Sequence, residues 1–85
     1  MFFINDEAGI AYESTEDGPA LWSPSDNDFS DFISDLPVSV RTKALSPARR
    51  VSEDEAIAFA RENASRFGAE GPRSYIMSES SHMIA

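Results

Sequence analysis

The sequence has no cysteine, a single histidine, only four glycines and no lysine or arginine ahead of residue 41. Without cysteine there are no disulfides, no thiolate metal site and no cysteine nucleophile. Nothing then points to an oxidising compartment, and the cytoplasm, a host's if the chain is phage-encoded, is the expected location. The glycines, Gly9, Gly18, Gly68 and Gly71, are too scattered for a Gly-x-Gly-x-x-Gly turn or a Gly-x4-Gly-Lys-Ser/Thr loop, so no phosphate cradle and no cofactor is expected. His82 stands with Ser80 and Ser81 in a serine-rich tail, where a nucleophile and its base have no packed site in which to meet. Acid pairs such as Asp6-Glu7 and Asp26/Asp28 lack the Asp-x-Asp-x-Asp-Gly loop ending in Glu that calcium hands use. Neither a catalytic residue nor a metal ligand is assigned.

Long apolar runs are missing as well. Met1-Phe2-Phe3-Ile4 turns acidic at Asp6-Glu7, without the basic region or the roughly 7 to 15 apolar residues of a secretory signal. No stretch approaches the roughly 20 apolar residues of a membrane span. With a net charge of −8, direct binding to nucleic acid or to an anionic membrane is disfavoured by like-charge repulsion.

What is present argues for a folded chain. Of 85 residues, 41% are hydrophobic, with six Phe, two Tyr and one Trp, enough for one modest core in spite of the charge. Residues 1–78 read as a single acidic α+β domain and 79–85 as a loose tail. Phe2-Phe3-Ile4, Ile10-Ala11-Tyr12 and Ala20-Leu21-Trp22 read as short strands, separated by the turn clusters at 5–9 and 16–19. In the stretch 25–36, Phe29, Phe32, Ile33 and Leu36 recur at i, i+3, i+4 and i+7, with Asp28, Asp31 and Asp35 on an adjoining face; the spacing predicts an amphipathic helix that Pro37 ends. Val38 to Ala44 alternates and predicts a strand with Ser39, Arg41 and Lys43 outward. Ser52 and Glu55 form a capping box for a helix over 52–67, and Ser74 to Ser78 reads as a last strand. The expected fold is an antiparallel sheet of about four to five strands with two helices on one face, in the order β-β-β-α-β-α-β.

The charge is one-sided. Nine of the fifteen acids, Asp6, Glu7, Glu13, Glu16, Asp17, Asp26, Asp28, Asp31 and Asp35, lie in the first 36 residues, which therefore carry −9; from Arg41 onward seven bases face six acids. Either these acids only solvate the outside of the fold, or they form a surface for a basic partner. On a helix, Asp28 to Asp35 would span about 10 Å, suited to a row of Lys or Arg side chains. Trp22 reads either as core or as an interface anchor.

Residues 20–36, a strand with Trp followed by Phe29-x-x-Phe32-Ile33-x-x-Leu36, resemble the strand–helix segment of SMI1/KNR4-type immunity proteins. The likeness covers about a fifth of a chain that is shorter than that family and lacks its N-terminal helical part, and no membership follows.

The function expected from these features is that of a non-enzymatic acidic binding protein. It would act as a stoichiometric inhibitor that occupies the basic nucleic-acid-binding surface of a partner such as a nuclease, in the manner of phage anti-defence proteins, anti-CRISPR proteins among them, and of nuclease immunity proteins. The contact residues would be Asp28, Asp31, Asp35, Glu13, Glu16 and Asp17, with Trp22 and Tyr12 as apolar anchors. The alternative is a structural or regulatory module that homodimerises through a sheet edge.

Overall fold

The computed structural model describes residues 1–68 and 71–77. Strands β1 (Phe2–Asn5), β2 (Ile10–Thr15), β3 (Gly18–Ser23) and β4 (Asp28–Phe32) form an antiparallel meander, and β5 (Arg49–Val51) adds to the other side of β1, giving the order β4-β3-β2-β1-β5. Helix α1 (Val38–Leu45) connects β4 to β5, and α2 (Glu53–Glu62) follows β5. A 3-10 turn at Ala64–Arg66 and a helical segment at 72–77 come last. The chain is thus α+β around a five-stranded antiparallel sheet, the class its patterning predicts.

Alternation along the strands sends apolar side chains to both faces, and a separate cluster forms on each. On one face Ile4, Ala11, Ala20, Trp22 and Phe29 meet Ala56 and Ala60 of α2. On the other Ile10 and Leu21 meet Ala44 of α1, with Ile33, Leu36 and Ile76. The helices therefore lie on opposite faces of the sheet, a correction to the expected one-sided packing. Asn5, the buried polar residue of the core at 1% exposure, ties α1 to the sheet: its Nδ2 donates to the Ala44 carbonyl at 2.9 Å and its Oδ1 accepts from the Ala8 N–H at 3.3 Å.

Three expected elements differ. The stretch 25–36 is not a helix: its centre is β4, entered through a turn in which Asn27 takes a left-handed φ of 54°. A register shift between Leu21 and Trp22 pairs Leu21 with Asp31 but Trp22 with Phe29, so Ser30 is an extra, bulged residue. The strand expected at 38–44 is α1, begun at Pro37, whose carbonyl accepts the Arg41 N–H. Val40 and Ala44, four residues apart, both join the core, which one face of a helix allows, so the segment buries itself as α1 instead. The strand expected at 74–78 is helical over 72–77, and its last residue lies outside the described residues, as does the expected tail at 79–85 with His82. β5 was not anticipated, because Arg49-Arg50 carries no apolar alternation. The helix expected at 52–67 is α2 with its following turn, and the Ser52 hydroxyl accepts from the Glu55 N–H as the capping box requires.

Candidate functional site

Of the residues expected to contact a partner, three are committed within the fold. Trp22 is 4% exposed, its ring edge-on to Phe29 with centroids 5.0 Å apart and the Arg61 guanidinium above it, so it is core and no surface anchor. Asp35 is bound by Arg73 through both terminal guanidinium nitrogens, Nη1 to Oδ1 at 3.0 Å and Nη2 to Oδ2 at 2.5 Å, and these bonds hold its carboxyl below the ordinary 3.8. Asp31 is partly buried beside the same guanidinium, 3.9 Å from its Nε; desolvation pushes its carboxyl up and Arg73 opposes the shift. The acidic row expected over 28–35 is therefore broken twice: the segment is a strand, and Arg73 covers two of its three carboxylates. Asp28 remains exposed, with one oxygen on the Phe29 N–H at 2.8 Å.

Tyr12 stacks on Phe3, centroids 5.3 Å apart at 19°, and burial raises its hydroxyl pKa. The two rings floor an open groove of about 520 Å³ against the Val38, Arg41, Thr42 and Leu45 side of α1. Arg41 Nε donates there to the Leu36 carbonyl at 3.0 Å.

The remaining acids sort to the two ends of the sheet. At one end Glu7, Asp26 and Asp28 lie in or beside the β1–β2 and β3–β4 loops, with Arg61 on Asn27 and Arg66 against Gly9. At the other end the β2–β3 turn carries Glu16 and Asp17, both exposed, held where Thr15 Oγ1 accepts from the Asp17 N–H and donates to the Gly18 carbonyl. Glu13 belongs to this end. It pairs with Phe2, which pairs with Val51, so Glu13 lies two strand spacings, about 10 Å, from the residue that leads into α2. The first turn of α2 adds Glu53 and Asp54, both exposed. Residues 13–18 and 51–54, which build this end, include five acids and no lysine or arginine. Asp6, by contrast, is paired with Arg49, which also reaches Glu55 at 3.0 Å, and the Arg49 contact keeps Asp6 below its usual range.

Sequence reasoning missed Arg73, although Gly71-Pro72 ahead of it is a helix-opening signal, proline being suited to a first turn. It also missed that Glu53 and Asp54 share the end of the sheet that carries the β2–β3 turn, since only the pairing of β5 with β1 brings them to that end. Among the described residues no group of three or more His, Asp or Glu side chains is placed to hold a metal ion, and no helix is long and apolar enough to cross a membrane. Comparison with protein-family models, curated proteins and solved structures gives no match for this chain.

Proposed function

We propose that this is a non-enzymatic acidic binding protein of the cytoplasm that acts stoichiometrically, by occupying the basic, nucleic-acid-binding surface of a partner protein, as phage anti-defence and nuclease-immunity proteins do. One observation carries the reading. Where the fold supplies a base, Asp6, Asp31 and Asp35 take it, whereas Glu13, Glu16, Asp17, Glu53 and Asp54 gather at one end of the sheet on segments that contain none. Carboxylates spaced over that end raise a local negative potential, which steers a basic groove toward it and matches the phosphates such a groove is built to hold. The expected contact thus moves from the 28–35 row to the β2–β3 turn and the start of α2.

The test is to capture the partner from the native host and titrate the complex with salt. Affinity falls steeply as salt rises, and Glu16→Lys with Asp17→Lys weakens it at unchanged circular dichroism. An affinity indifferent to both sinks the reading. The second reading, an interaction module that uses a sheet edge, is favoured by β4, whose outer side pairs with no strand among the described residues.

A further inference from the structure

The outer side of β4 carries more information than its exposure. The Ile33 N–H donates to the Pro19 carbonyl at 3.2 Å, one residue beyond the facing pair Ala20 and Phe32. That bond marks Ala20–Phe32 as a pair that exchanges no hydrogen bonds of its own, so the N–H and C=O of Phe32 point away from β3. The outward carbonyl is occupied: Arg73 Nη1 donates to it at 2.6 Å while the same guanidinium holds Asp35 and approaches Asp31. A side-chain donor thus sits where the backbone N–H of an added strand would sit. The Phe32 ring beside it is 41% exposed.

We propose that the outer edge of β4 receives an extended, arginine- or lysine-bearing segment of a partner as a sixth strand, with Arg73 as the placeholder it displaces. The proposal rests on the reading of the chain as a binder of basic proteins and names a second element of that contact. Charge selects the occupant. Because Ser30 is bulged, Asp28 and Asp31, facing Ser23 and Leu21, project to the same side of the sheet, and Asp35 follows just past the strand. A second copy of β4, added antiparallel, would bring aspartates against aspartates, which is destabilising across strands. A basic strand would instead take over the carboxylates that Arg73 now holds, its backbone N–H would replace the guanidinium on the Phe32 carbonyl, and its carbonyl would accept the outward Phe32 N–H. Apolar side chains on its other side would cover the Phe32 ring.

The probe is a peptide of about ten residues alternating Thr and Arg, a length that matches one strand and its flanks, with an alternating Thr and Ser peptide as neutral control. Binding is followed by calorimetry and by hydrogen exchange at the Phe32 amide. The basic peptide binds and slows exchange at Phe32; Arg73→Ala, which frees a charge-assisted acceptor, binds it about tenfold more tightly; Phe32→Pro, which lacks the outward N–H and suits an edge strand, loses the strand-specific part. Should Arg73→Ala fail to fold, exchange at Phe32 in the unaltered chain decides alone. Binding untouched by Phe32→Pro, without protection at Phe32, overturns the proposal and leaves the basic-partner reading standing. Equal protection by the neutral peptide refutes the charge selection, and with it the basic-partner reading of this edge. No protection by either peptide overturns the sixth strand, while the salt titration of the captured partner judges the wider reading separately.

Discussion

The two faces of the sheet are packed by different means. Under α2 the sheet contributes the fully buried bulk, Trp22 and Phe29 with Ile4, and the helix lays buried Ala56 and Ala60 on this aromatic floor, with half-buried Ile57 and Phe59 packed beside them. On the opposite face the load is shared among aliphatic residues from five places, Ile10, Leu21, Ile33 and Leu36 with Ala44 of α1 and Ile76 of the 72–77 segment, and a buried asparagine pins the helix in place. A long, capped helix with an alanine stripe can dock on one patch by shape. A helix of eight residues cannot, and needs a specific polar tie and a neighbouring segment to hold it.

The difference is sharpened first by truncating each floor. Trp22→Ala removes the largest buried ring and is expected to cost about 3 to 5 kcal/mol, against about 2 to 5 kcal/mol for Leu21→Ala on the other face; urea unfolding measures both, and a larger loss at Leu21 would reverse the ranking. Next, Asn5→Ala leaves the Ala44 carbonyl and the Ala8 N–H without their side-chain partner, an expected loss of about 1 to 3 kcal/mol. Hydrogen exchange should then speed up in α1 and leave α2 unchanged; equal loosening of both helices would mean that the polar tie is not specific to its face. Ser52→Ala removes the cap of α2 and costs about 1 kcal/mol, with the opposite pattern of exchange.

The smallest effect is in pH dependence at Arg73. Asp35 has its pKa depressed below 3.8 by Arg73, so its contribution is present above that value and is lost as pH falls through the folded pKa. Asp31, raised by burial, has the opposite sign: its contribution is present below its unfolded value and is lost as pH rises through its folded one. Unfolding midpoints taken from neutral pH down past 3.8 should therefore show a shallow acid loss that Arg73→Ala reduces. A steeper acid loss in the variant would contradict the assigned pairing.

How much of this was legible follows from which pattern each segment carried. The first three strands and α2 announce themselves, the strands by turn chemistry at 5–9 and 16–19 and the helix by Ser52, Glu55 and an alanine stripe. β4 misleads because Phe29 and Phe32, three residues apart, share one side, as do Asp28 and Asp31; in a regular strand they would be opposed, and a helix explains the spacing better until the bulge at Ser30 is known. α1 misleads in the reverse sense, since Val38, Val40, Thr42 and Ala44 alternate while only Val40 and Ala44 of them join the core. Of the candidate site, the acidic bias was readable residue by residue. Its sorting into bridged and unbridged acids was not, because Arg73 reaches Asp35 across 38 positions and Arg49 reaches Asp6 across 43.

Ser30 acts on β4 as a single inserted letter acts on a reading frame. With a side-chain period of two, one extra residue exchanges the destinations of everything downstream of it. Were Ser30 paired opposite Leu21 instead of bulged out, Phe32 would be sent to the side that holds Leu21, Asp31 to the side that holds Trp22 and Phe29, and Arg73 would lose the carboxylate and the carbonyl it grips. One serine hydroxyl, bonded at 2.7 Å to Asp26, thus sits at the point that decides which chemistry the border of this sheet displays.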